Sequence, residues 1–125
     1  PQPTPWDGKG KDTITTPSGL KMIMLETHPE AAKPAKANNV TVHYSGYLLD
    51  GSMFDSSVER GQPFSFALGM KQVIAGWDEG IALLHKGEKA KLIIPFNLAY
   101  GAEGRPPVIP PKATLVFDVQ LIDFK

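Results

Sequence analysis

The stretch VIAGWDEGIALL, Val73–Leu84, decides the fold, because it is the one segment with a helical period. Wound at 3.6 residues per turn, Val73, Ile74, Trp77, Ile81 and Leu84 fall within one arc of about 100°. Gly76 and Gly80 sit beside that arc, where a missing side chain lets a helix approach a sheet closely. Gly87, after His85-Lys86, supplies a helix stop.

Outward from the helix the period becomes two. Ala90, Leu92, Ile94 and Phe96 alternate on its C-terminal side, and Leu115, Phe117, Val119 and Leu121 share a face near the end. On the N-terminal side Phe64, Phe66 and Leu68 alternate, and Met53–Ser57 forms a short strand after the turn Asp50-Gly51. In Val40–Leu49, residues Val40, Val42, Tyr44 and Leu48 take one face; Thr41, His43, Ser45 and Tyr47 take the other, read as a polar surface. Leu20–Leu25 is a further strand, and Glu59–Pro63 breaks the chain. One amphipathic helix among five or six strands cannot make a bundle or a doubly wound fold. The reading is α+β, a curled antiparallel sheet of five to six strands wrapped around one short helix.

The 125 residues fit one domain, residues 18–125, preceded by an arm or linker at residues 1–17 that is mobile unless Trp6 is tucked against the domain. Lys plus Arg and Asp plus Glu are both 13, without the basic excess of a nucleic-acid binder. No cysteine is present, which excludes a disulfide scaffold, a thiolate nucleophile and a cysteine zinc site. No apolar run approaches the ~20 residues of a membrane helix. The chain starts at Pro1 rather than methionine, so the expectation is a processed or trimmed N-terminus, with cytoplasm and periplasm both open.

His28, His43 and His85 stand alone, without ligand spacing, so no metal is expected. His43 with Ser45 is the nearest thing to a hydrolase pair, and a polar strand surface explains it better. Aromatic residues beside turns stand out instead: Tyr44, Phe54, Phe64, Phe66, Trp77, Tyr100 and Phe117. Taken singly, each reads as an ordinary core ring. Tyr100 differs, because it opens the long loop Ala99–Pro111, whose length is costly unless it covers something.

Four blocks in order make the pattern specific: VHYSGYLLDGSMFDSS (Val42–Ser57), VIAGWDEGIALLHKGEKAKLIIP (Val73–Pro95), AYGAEG (Ala99–Gly104) and IPPKATLVFDVQLIDF (Ile109–Phe124). Together they resemble the FKBP-type peptidyl-prolyl cis-trans isomerases, and TTPSGLK (Thr15–Lys21) resembles the lead into the domain of bacterial members. The resemblance implies a shallow apolar pocket floored by Trp77 and walled by Tyr44, Phe54, Phe64, Val73, Ile74 and Phe117. It implies that the Tyr100 hydroxyl and the Ile74 backbone N–H meet substrate carbonyls. Asp55 matches the family's pocket carboxylate, held by Tyr44 and Arg60; it either opposes the rotating carbonyl or only orders those two partners. Arg105, Val108 and Ile109 stand where the resemblance places the substrate-contacting rim. Departures lie at the edge: Arg105 where some members have His, Leu98 where some have Tyr, Gln72 where an acid is common, and the tip Pro107-Val108-Ile109.

This chemistry suits a chain without a catalytic dyad. The rotation barrier of ~18–20 kcal/mol comes from amide resonance, and twisting the bond removes the charge separation that resonance creates. A dry pocket gripping the prolyl ring therefore favours the twisted form. Proline is the sensible substrate, because X–Pro bonds alone populate cis appreciably. The implied partners are proline-containing polypeptides and macrolides of the rapamycin class, with no cofactor, no nucleic acid, no membrane span and a monomeric state. A non-catalytic proline-peptide or scaffold module is the alternative, disfavoured by the full aromatic set. A folding role is compatible, although Asp78–Arg105 leaves no room for the inserted flap domain of chaperone members.

Overall fold

The computed structural model describes residues 5–7, 10–105 and 108–125. Its strands are β1 (Thr13–Thr15), β2 (Lys21–Glu26), β3 (Asn39–Tyr47), β4 (Met53–Ser56), β5 (Phe64–Ala67), β6 (Lys89–Ile94) and β7 (Leu115–Phe124). Two helices, α1 (Ser57–Arg60) and α2 (Ala75–Ala82), and a 3₁₀ turn at Phe96–Leu98 complete it. The sheet runs β1-β2-β6-β7-β3-β4, with β5 also on β3, and every pairing is antiparallel. β4 and β5 thus share one edge of β3, with α1 bridging them. The bulge between Thr41 and Val42 in the β3–β7 ladder helps the sheet curl.

The α+β architecture is the expected one, with seven strands rather than five or six. The extra strand, β1, lies inside the segment read as an arm. Thr13, Ile14 and Thr15 pair with Ile23, Met22 and Lys21, yet all three are exposed. A strand wet on both faces leaves no hydrophobic alternation to read. Upstream, the Trp6 backbone N–H donates to Asp118 Oδ2 at 2.7 Å, and Lys89 Nζ lies 5.7 Å from the half-buried Trp6 ring. Trp6 is tucked, as the condition on the arm required. The remainder of that arm, residues 1–4 and 8–9, lies outside the described residues.

The core packs α2 on the sheet: Ile81 and Leu84 meet Leu20, Leu92, Ile94, Leu115, Val119 and Leu121, all fully buried. A Cβ added at Gly76 would sit 2.6 Å from Ile94, and one at Gly80 3.1 Å from Leu92. The two glycines set the helix-to-sheet spacing.

Several expectations need correction. The helix is shorter than its hydrophobic period: Val73 and Ile74 precede it, Ile74 in extended chain as the N-cap, and it stops at Leu83 without a glycine. Gly87 serves the next turn instead, at φ +88°, donating its N–H to the Leu121 carbonyl. The second face of β3 is not a polar surface at its far end. Ser45 and Tyr47 are buried, with Ser45 Oγ 2.9 Å from Ser56 Oγ across the β3–β4 pair. The break after Ser57 contains the turn of helix α1, capped by Ser56, whose side chain accepts from Glu59 N, and closed by Gly61 at φ +71°.

Candidate active site in an aromatic cavity

Five elements deliver side chains to one hollow. Tyr44 comes from β3, Phe54 and Asp55 from β4, Phe64 from β5, Trp77 from the first turn of α2 and Phe117 from β7. Gln72, Val73 and Ile74 enter from the approach to α2, and Tyr100 from the loop after β6. The cavity they line measures 310 Å³.

Trp77 is 4% exposed and central to the ring cluster. Its centroid lies 4.8 Å from Tyr44 and 5.2 Å from Phe117, both edge-on, 5.9 Å from Phe66 and 6.1 Å from Phe64. Edge-to-face contacts of this kind fix ring orientation beyond simple burial. Phe54 meets Phe117 edge-on at 5.5 Å. Gly46 makes that contact possible, since a Cβ there would sit 2.7 Å from both rings. The Trp77 indole N–H is buried without a hydrogen-bond partner among the described residues, so the floor has no internal polar tie.

At one end of the cavity the Tyr44 hydroxyl donates to Asp55 Oδ2 at 2.5 Å and accepts from Arg60 Nη2 at 3.0 Å. Arg60 Nη1 donates to Asp55 Oδ1 at 2.5 Å, and the Ser56 backbone N–H adds 2.9 Å to the same oxygen. The guanidinium also lies 5.8 Å from the Tyr44 centroid. Burial, and then the hydrogen bond to the Asp55 carboxylate, push the Tyr44 hydroxyl above its ordinary pKa, with Arg60 offsetting part of it. Arg60 is pushed upward by its bonds to Tyr44 and Asp55 and stays cationic. The capping turn of α1 makes this triangle, because it swings Arg60 back beside Asp55.

Tyr100 stands across the cavity, with the Arg105 guanidinium 5.5 Å from its ring. Its loop is closed by Gly101 N–H to the Phe96 carbonyl at 2.8 Å and by the reciprocal pair Arg105–Ile109 at 2.8 and 2.9 Å. The Tyr100 hydroxyl has no partner among the described residues. It is free for a ligand.

The structure therefore gathers Tyr44, Phe54, Asp55, Phe64, Val73, Ile74, Trp77, Tyr100 and Phe117 around one space. Arg60 and Arg105 stand behind Asp55 and Tyr100 rather than on the wall. Ile109, expected at the rim, is 4% exposed within the core cluster, while Val108 is 54% exposed, and neither lines the cavity. The Arg105–Ile109 bridge sends neighbouring side chains to opposite sides, and one of them had to go inward. Pro107, also named at the loop tip, lies outside the described residues, as does Pro106. His43 is paired with Ser57, not Ser45: Nδ1 to Oγ is 2.9 Å. That serine is fully buried and accepts the Tyr44 backbone N–H at 2.7 Å, so it is a structural anchor and not an accessible nucleophile. Among the described residues no three His, Asp or Glu side chains gather as metal ligands, and no helix is long and apolar enough to cross a membrane.

A family model described as FKBP-type peptidyl-prolyl cis-trans isomerase matches residues 30–122. The chain is 58% identical over 92 residues to FK506-binding protein 1 of Dictyostelium discoideum, covering 74% of this chain and 86% of that one. It is 55% identical over 107 residues to the peptidyl-prolyl cis-trans isomerase FPR2 of Saccharomyces cerevisiae, covering 85% and 78%. The crystal structure of FkpA from Escherichia coli superposes with a TM-score of 0.85 at 46% identity, over 94% of this chain. The chain spans about half, 54%, of the FkpA chain.

Proposed function

The chain belongs to the FKBP-type peptidyl-prolyl cis-trans isomerase family, and on that premise we propose that the cavity over Trp77 is where it rotates X–Pro bonds. The observation that carries this reading is the convergence of six aromatic rings and two aliphatic side chains on one open space, with the Tyr100 hydroxyl unpartnered among the described residues.

The prolyl ring lies on the Trp77 indole, between Tyr44, Phe64 and Phe117. Water is excluded from the C–N bond, so the loss of amide resonance on twisting is opposed less than in bulk solvent. Tyr100 Oη and the Ile74 backbone N–H, which precedes the first turn of α2, hold the carbonyls on either side of the ring. Asp55 acts as a positioning residue. Both its oxygens are already engaged by Tyr44, Arg60 and Ser56, which leaves it better suited to fixing the Tyr44 ring than to meeting a rotating carbonyl. All lining residues come from one chain, so a monomer suffices. Macrolides of the rapamycin class, as mimics of a twisted prolyl amide, fit the same cavity.

The test is the cis-to-trans rate of a short X–Pro peptide together with macrolide titration. Wild type accelerates the rate and loses that acceleration when the macrolide is bound. A folded Trp77→Leu chain with unaltered rate and unaltered macrolide affinity would remove the site from this cavity. Peptide binding at the uncatalysed rate would instead make the domain a proline-peptide binding module.

A further inference from the structure

Beyond the ridge formed by Val73 and Ile74 lies a second, larger groove of 710 Å³, and these two residues line both it and the aromatic cavity. Its floor is apolar: Ala75 at the start of α2, with Leu98 and Ala99 after the 3₁₀ turn. Its wall carries charge, from Asp78 and Glu79 on α2 and Lys71 on the preceding loop. Asp78 is committed, its two oxygens accepting the Gly69 and Lys71 backbone N–H groups at 2.9 and 3.2 Å. Glu79 is not. Its Oε1 accepts the Ser18 hydroxyl at 2.5 Å, and Oε2 has no partner among the described residues.

We infer that this groove is a subsite for the substrate chain beside the prolyl residue, and that it selects a lysine or arginine side chain there. The inference rests on the prolyl reading of the cavity, because one polypeptide crossing the Val73–Ile74 ridge occupies both spaces. An extended chain advances ~3.3–3.6 Å per residue, so neighbouring residues on one flank of the proline reach the groove while those on the other flank leave it. The chemistry of the groove is that of a long cationic side chain. Its methylene stem covers Leu98, Ala99 and Ala75, and its head meets the open Glu79 oxygen with Asp78 behind it. Among the lining residues two carboxylates stand against one ammonium, while the Lys36 stem packs beside Gly69 at the far end from Glu79. Lys71, exposed on a backbone at φ +60°, stands at the mouth as an opposing charge that weakens the preference without reversing it.

The experiment uses the full chain and a series of X–Pro peptides carrying one Lys or one Glu, moved along either flank, with a neutral unextended peptide beside them. Both kcat/KM and Kd are read. The expected result is a Lys-over-Glu preference of about two- to fivefold at low salt, the scale of an exposed ion pair, on one flank only. It collapses at about 0.5 M salt, where the screening length falls to a few ångström. Glu79→Gln lowers the ratio towards one, and Lys71→Gln raises it. A ratio near one in the wild-type chain, an equal preference on both flanks, or a ratio indifferent to both substitutions overturns the subsite while leaving the cavity reading intact. A wild-type chain that fails to turn over the neutral short peptide overturns the cavity reading, and this inference with it.

Discussion

Glu88 and Trp77 are both almost fully buried, yet the fold treats them in opposite ways. Around Glu88 two backbone N–H groups close on the carboxylate. The backbone N–H groups of His28 and His85 each donate to it at 2.8 Å, while His85 Nδ1 lies 3.1 Å away at ion-pair distance without a hydrogen bond. The Glu88 backbone in turn pairs with His85 and Leu121. The result ties the loop after β2 and the turn before β6 to the last strand. Around Trp77 the rings close on one another but leave a hollow, with an indole N–H and a tyrosine hydroxyl unpartnered among the described residues. A polar knot satisfied by its own backbone builds the scaffold; polar groups left open beside apolar walls await a ligand.

Removing the centre of each region tests that contrast. Trp77→Ala takes the hub from the ring cluster and should cost about 3–5 kcal/mol in denaturant unfolding, with macrolide binding lost. A loss far below that range would mean the rings do not pack as one unit. Glu88→Gln should cost about 1–3 kcal/mol, because it weakens a charge-assisted cluster of buried hydrogen bonds. The folded Glu88→Gln protein should isomerise X–Pro peptides at the wild-type rate; a slower rate would join the two regions.

The third expectation is a pH dependence. Burial pushes Glu88 up, but the His85 and His28 backbone N–H groups and the His85 ring outweigh it and hold the carboxyl below its ordinary 4.5. A depressed folded pKa means that this stabilisation is complete above the unfolded value and is lost as pH falls through the folded one. Unfolding midpoints followed from neutral into the acid range should therefore drop more steeply for wild type than for Glu88→Gln. Parallel curves would show that the knot does not depend on its charge. The smallest effect on stability belongs to Tyr100→Phe, expected within about 0.5 kcal/mol because only a free hydroxyl is removed. Its kcat/KM should still fall about two- to tenfold, the scale of one hydrogen bond to substrate.

The sequence made the ring side of the contrast legible and hid the knot. Trp77, Tyr44, Phe117 and Phe64 fall on readable periods, and four ordered blocks carried the family resemblance. Glu88 stands at the head of the alternating stretch, where a lone carboxylate gives no sign of burial, and only tertiary closure takes it out of water. Helix α1 is a single turn, too short for a hydrophobic period. Its one signal is the capping pattern Ser56-Ser57-Val58-Glu59, where Ser and Glu stand three apart. Ile109 and Val108 could not be sorted inward and outward without knowing that Arg105 bridges across the loop. The groove beyond Val73 and Ile74 had no linear signature, since its lining is drawn from two stretches about twenty residues apart.

The chain holds two tryptophans, and the fold has sent them to different neighbourhoods. Trp77 is buried among rings at the cavity, whereas Trp6 is half-buried beside the Lys89 ammonium, with its backbone N–H on Asp118. Their fluorescence therefore separates into a shielded, blue-emitting population and a solvent-touched, redder one. Quenching by a soluble collider should act on the second alone, so one emission spectrum distinguishes cavity occupancy from release of the N-terminal segment without any added label.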